Sequence, residues 1–344
     1  MRERAIPPDS RVFDWAIALS ALCLGAGIFV DAWYHFHNDV ETFFEPAHGL
    51  LYAGLLLAYI AAGSFVVRNY RLGYRWPHLV PQGYTTTLVG LVVALVGGFS
   101  DMVKHTLWGF EQGFNALLSP THLLIGAGMF VMIAGLVGNA YARREEQRTL
   151  LSQFPLLLAA SAMMELLHWG TQVFFQSEAE RINAPLPFAH APHEVLTLLT
   201  IAYYKQAIGL FALLAQSLLI AGFALFLKRR FTLAPGALAV LMLLGNLIIA
   251  AAQANAWPEF VAVLVASLAC GIVGDLFRLD PERGAEWRWY AFAFALPATY
   301  WASFLLVIAA TTGLWWPPDV IFGSVLFVGF TGALLNAIAP PRLG

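Results

Sequence analysis

The chain has 344 residues, of which 59% are hydrophobic and only 12% charged, with a mean hydropathy of +0.69 and a formal net charge of −2. That charged fraction is about half of what an ordinary soluble domain carries, and apolar runs longer than about twenty residues read as spanning helices rather than barrel strands. No basic block points to nucleic acid, and the two cysteines, Cys23 and Cys270, lie within apolar segments, which argues against disulfide, CxxC and zinc-thiolate readings.

The basic start (Arg2, Arg4, Arg11) precedes an apolar run over 12–36. That run contains Asp31 and His35, so it reads as a retained helix and not as a cleaved signal. Further apolar segments follow at 47–67, 84–107, 120–142, 150–175, 203–227, 232–254, 257–277, 288–311 and 318–339. The expected fold is an all-α integral membrane protein of about ten transmembrane helices, built as repeated αα-hairpins of about seventy residues. Each even-numbered helix opens with a proline (Pro46, Pro120, Pro192, Pro258, Pro318), a residue whose missing N–H is harmless in the first turn. His193 stands 35 residues before Lys228. The sixth helix is therefore preceded by a separate outer helix over about 193–203, or His193 lies well above the others.

Cationic and cation-poor connections alternate along the chain. Sixteen of the 19 Lys and Arg fall on one side, all but Lys104, Arg181 and Lys205. The positive-inside rule then puts both termini in the cytoplasm, with the chain integral to the inner (cell) membrane. All histidines except His78 belong to the opposite, outer side. Residues 1–200 are expected to form three metal-binding hairpins. Residues 201–344 supply scaffold helices of the same membrane domain, because the last two hairpins hold no histidine.

Asp31-Ala-Trp-Tyr-His35 recurs as Asp101-Met-Val-Lys-His105. Each copy is followed by a proline and a histidine that open the next helix, Pro46-Ala-His48 and Pro120-Thr-His122. Ionisable groups beside lipid default to a functional reading. Positions i and i+4 share a helix face, so each Asp-His pair can converge on one ion. Glu165-Leu-Leu-His168 offers the i, i+3 version known from carboxylate-bridged sites in bundles. Helix rise of about 1.5 Å per residue places all these groups at one level, roughly 30 Å from the cytoplasmic cations. The first-turn dipole keeps His48 and His122 neutral, the state a metal requires. The candidate ligands are Asp31, His35, His48, Asp101, His105, His122, Glu165 and His168, with His190, His193 and Glu194 left open. Imidazole and carboxylate without thiolate suit copper, iron or zinc. Two Asp-His-His clusters and one dinuclear centre both fit, as do metal-free hydrogen bonds within the bundle. Lys104 is expected to snorkel to the outer headgroups.

Asp31-x3-His35-x12-His48 resembles the copper motif of the C subunit of particulate methane and ammonia monooxygenases. The second copy, Asp101-x3-His105-x16-His122, is similar to that family's neighbouring Asn-x3-His-x13-His site, with Asp for Asn and a longer loop. The resemblance implies copper at Asp31, His35 and His48, and partner subunits. Together these observations favour an oxidoreductase of monooxygenase type acting on a small apolar or lipid-like substrate. The alternatives are a zinc-dependent membrane lipid hydrolase and a non-catalytic metal-binding subunit. A transporter ranks lower, because the inner halves of the helices lack an ionisable path.

Overall fold

A computed structural model describes residues 10–37, 45–76, 78–109, 111, 114–143, 149–171, 192–253, 257–279 and 285–338. Among them there are ten long helices and no strand. They are α1 (Arg11–His37), α2 (Gly49–Arg71), α3 (Gln82–Trp108), α4 (Pro120–Ala142) and α5 (Leu150–Gly170), followed by α6 (Pro192–Arg230), α7 (Ala237–Gln253), α8 (Trp257–Leu276), α9 (Glu286–Thr311) and α10 (Pro318–Ile338). The 3-10 turn Pro46–His48 leads into α2, and one helical turn, Phe114–Leu117, lies between α3 and α4. Prolines open α4, α6 and α10, as the sequence predicts.

Nine of these helices are long and apolar enough to cross a membrane. The exception is α7, with 17 residues, which begins later than the apolar run because Gly236 takes a left-handed φ of 85° in the turn before it. Helix α6 is a single element of 39 residues, with its candidate span at Tyr203–Arg230. No separate outer helix covers 193–203. His193 and Glu194 belong to this continuous helix, their side chains lie outside the described residues, and so does His190.

The chain divides into two compact units, Met1–Leu166 and Leu167–Gly344. In the first, α3 packs closely against α4, and α1 against α2. Small residues make the α3–α4 seam. A Cβ added at Gly83, Gly90 or Gly97 of α3 would collide with the α4 backbone at Asn139, Met132 or Ile125, and one at Gly128 of α4 would strike Ala94 of α3. Without side chains between them, the backbones come close enough for strong dispersion contact, the usual means of helix association where lipid offers no hydrophobic drive. At the Arg143 end of α4, buried Asp14 of α1 accepts hydrogen bonds from Tyr84 of α3 and from Arg143. Partway along, Tyr59 of α2 donates to the Leu91 carbonyl of α3 (2.7 Å).

The second unit holds the remaining helices. Helix α8 packs on α7 and α9, and α9 and α10 pack on α6. Its core holds Trp289, Phe292, Tyr300 and Trp301, all fully buried, and the Trp301 indole donates to Ser217 (2.9 Å). The Asp275 carboxylate of α8 accepts the backbone N–H groups of Leu238 and Ala239 (3.2 and 3.1 Å), satisfying donors that the start of α7 would otherwise leave open.

Candidate metal centre

Asp101, His105 and His122 are the one group of three potential metal ligands found among the described residues, with one donor atom from each lying within 4.8 Å of the others. Asp101 and His105 lie one turn apart on α3, and His122 stands in the first turn of α4. The α3–α4 seam brings the two helix ends together. Asp101 is 5% exposed, and each of its oxygens faces an imidazole: Oδ2 is 3.2 Å from His105 Nε2, and Oδ1 is 3.3 Å from His122 Nε2.

The other ring nitrogens are committed. His105 Nδ1 lies 3.1 Å from the Gly109 carbonyl, and His122 Nδ1 lies 2.7 Å from the Ala116 carbonyl. A carbonyl only accepts, so each Nδ1 carries a hydrogen. In a neutral ring the Nε2 lone pair then points at a carboxylate oxygen. Lone pairs facing each other need a positive charge between them, either a proton or a metal ion. Ligands at about 2.0–2.2 Å from a common ion stand about 3.0–3.5 Å from each other in ordinary tetrahedral or octahedral geometry. The two separations fall in that range, each to a different oxygen of Asp101. Imidazoles tied through their second nitrogen to backbone carbonyls are also the usual outer support of a metal site.

Further polar groups hold the carboxylate in place. Thr121 donates to Asp101 Oδ1 (2.5 Å), the Thr121 and Ser119 hydroxyls lie 2.9 Å apart, and Lys104 Nζ donates to Ser119 (2.7 Å). Lys104 also pairs with Glu111, whose Oε2 is 3.6 Å from His105 Nδ1. Ser119 and Glu111 thus hold the Lys104 ammonium. Helix α3 ends at Gly109, where φ is 80° and the N–H caps the helix through the His105 carbonyl (3.0 Å).

The first hairpin repeats part of this arrangement. His48 Nε2 lies 3.3 Å from Asp31 Oδ1, the counterpart of the His122–Asp101 contact. The side chain of His35 lies outside the described residues. The backbones correspond as well. A Cβ on Gly27, one turn before Asp31, would lie 2.7 Å from the amide nitrogen of Leu51, three residues after His48. On Gly97, one turn before Asp101, it would lie 2.8 Å from the amide nitrogen of Ile125, three residues after His122. The repeat is thus Gly-x3-Asp-x3-His, with the glycine setting how near the two helices come just beneath the ligands.

Glu165 and His168 of α5 are both buried, and His168 lies against the Gln216 side chain and the Gly245 backbone. Neither belongs to a group of three ligands among the described residues. His78 is exposed in the loop between α2 and α3. The supporting residues Gly27, Gly97, Thr121 and Ser119 carry no usual metal-binding side chain, and Glu111 has a carboxylate but stands outside the repeated motif. The repeated Gly-x3-Asp-x3-His was the available signal for Gly27 and Gly97. No protein-family model, curated protein or solved structure matches the chain.

Proposed function

We propose that this protein is a metalloprotein of the cell membrane that holds an ion through Asp101, His105 and His122, with Asp31, His35 and His48 forming a second, equivalent set. The observation that carries the reading is the pair of imidazoles at Asp101, each with Nδ1 tied to a carbonyl and Nε2 aimed at the carboxylate. Copper suits this donor set best, with iron and zinc next. Its supports are the nitrogen and carboxylate ligands, the absence of thiolate, and the resemblance of Asp31-x3-His35-x12-His48 to a copper motif. Copper in such a site supplies one-electron chemistry with dioxygen.

The reading continues to an oxidoreductase of monooxygenase type, taking a small apolar or lipid-like substrate from the bilayer and working with partner subunits or as a homo-oligomer. Three protein ligands leave the ion an open position, which catalysis needs and a purely structural site does not. The tight α3–α4 seam argues in the same direction, since two helices already in backbone contact do not need an ion to staple them. Charge asymmetry orients the chain with both termini cytoplasmic and the metal ligands towards the outer face. Glu165 and His168 remain candidates for a third-hairpin contribution.

Elemental analysis of detergent-purified protein tests the reading. Copper is expected at one or two ions per chain, and the ion held by Asp101, His105 and His122 is expected to be lost on Asp101→Ala. Zinc in place of copper would support the lipid-hydrolase alternative. A chain that binds no copper, iron or zinc after reconstitution would overturn the reading.

A further inference from the structure

In the first unit, a cavity of about 320 Å³ lies where α1 begins, α4 ends and α5 begins. That volume stands at the lower end of the roughly 300–1,000 Å³ typical of small-ligand pockets. The charged groups in its lining are two guanidiniums, Arg11 and Arg143, and one carboxylate, Asp14. Both Asp14 oxygens already accept hydrogen bonds, one from Tyr84 and the other from Arg143. A guanidinium has five N–H donors, so a partner already held does not exhaust it. Thr149 and Ser152 add hydroxyls and together close the first turn of α5. Thr149 Oγ1 accepts the Ser152 N–H (3.3 Å), and Ser152 Oγ donates to the Thr149 carbonyl (2.7 Å). Among the described residues, the Thr149 O–H itself meets no acceptor. The lining also includes the first residue of α1 and the first turn of α5, two positive helix ends, against the negative end of α4, where Arg143 stands. Cations, donors and helix ends together favour an anion.

The rest of the lining is apolar. It includes Leu151 and Leu156 of α5, and Trp15 of α1, which stacks on Phe154 of α5 with centroids 5.9 Å apart. Leu151 is 74% exposed. The candidate spans start at Arg11, end at Ala142 and start at Leu150, so the cavity stands at the boundary of the hydrocarbon, the level of the lipid headgroups. A soluble anion needs no apolar wall beside its donors. A phospholipid joins a phosphate to apolar chains, and basic pockets between membrane helices on the cation-rich side suit anionic headgroups. We propose that this cavity binds the headgroup phosphate of an anionic phospholipid, with the Arg11 guanidinium and the Thr149 hydroxyl donating to its oxygens and the acyl chains passing Leu151 into the bilayer. Arg143 stays with Asp14, so the site does not draw on the contacts that fasten α1, α3 and α4. Nothing in it depends on the metal reading.

Native mass spectrometry of the delipidated full chain, in detergent with equal amounts of phosphatidylglycerol and phosphatidylcholine, counts the lipids retained. One phosphatidylglycerol should be held about tenfold or more in preference to phosphatidylcholine, the size expected for hydrogen bonds to a charged acceptor. An excess of inorganic phosphate should leave it in place. Arg11→Gln should weaken phosphatidylglycerol about tenfold and leave phosphatidylcholine unchanged. Arg71→Gln removes an equal charge at the exposed end of α2, outside the lining, and should have little effect. Equal retention of the two lipids would overturn the proposal. So would equal losses in Arg11→Gln and Arg71→Gln, which would mark general surface charge. Displacement by inorganic phosphate would mark a soluble-anion site and overturn the lipid assignment. Should Arg11→Gln fail to accumulate, Leu151→Glu decides. It places an acid at an exposed position in the lining and should weaken phosphatidylglycerol alone; undiminished retention there overturns the proposal.

Discussion

Both oxygens of Asp101 face an imidazole nitrogen, so a single carboxylate organises the site. Asp101→Asn keeps the shape, removes the charge and puts an amide donor opposite one of the rings. It should remove the ion held at Asp101 with little change in helix content, which metal analysis and circular dichroism would check together. Thr121→Val leaves every ligand in place and removes only the hydroxyl that orients Asp101. Its metal affinity should fall about 10- to 100-fold, the usual effect of losing an outer-shell partner, as read by competition with a chelator. Affinity should also fall as pH is lowered. Protons compete with the ion for imidazole nitrogen, and binding releases them, so a chelator titration at two pH values gives the sign. The ligands themselves are legible in the sequence because carboxylate and imidazole are rare in apolar runs and repeat at fixed spacing. Thr121, Ser119 and Glu111 are not, because hydroxyls and a loop acid are ordinary at the ends of membrane helices.

Glycine placement decides how the helices α3 and α4 meet. A side chain at Gly90 would overlap the α4 backbone at Met132, and neither helix can yield without moving the other. Gly90→Val should therefore destabilise the first unit by about 1–3 kcal/mol or more, as overpacking does. A clear fall in the thermal midpoint is expected, and Gly63→Ala, which meets nothing within 4 Å, should show none. Gly97→Val is the more telling change. It touches no ligand, yet it should lower metal affinity by pushing apart the turns that carry Asp101 and His122. Unchanged affinity would mean that the ligands reach their places by another route. Helix positions follow from hydropathy alone, but this seam does not. Glycine is common in membrane helices, and only knowledge of which faces touch singles out Gly83 and Gly90 from Gly98, which faces open space.

At the scale of the whole chain, topology turns on α7. Its 17 described residues stand at the lower limit for crossing the hydrocarbon core. If α7 crosses, there are ten spans and the termini share a side. If it does not, they lie on opposite sides. The cation asymmetry requires the crossing, so a reporter fused after Gly344 should be active only in its cytoplasmic form. A periplasmically active fusion would instead leave α7 within one leaflet. The sequence makes the helices and their order plain, because a spanning run must be long and apolar. The division at Leu166 and the unbroken length of α6 are not visible in it. Both depend on which helices pack together, and hydropathy averages carry no such information.

The clasp of Asp14, Tyr84 and Arg143 fastens α1, α3 and α4 at the end remote from the metal ligands, and the glycine seam continues that fastening along α3 and α4. A unit held in this way resembles a fork, with a handle fastened at one end and Asp31, His48, Asp101 and His122 standing at the tips of the prongs. On the proposed metal reading, the fastening of the handle does not depend on the ion. A chain stripped of its ion should then stay folded and be recharged in place, which metal analysis and circular dichroism before and after chelation would check.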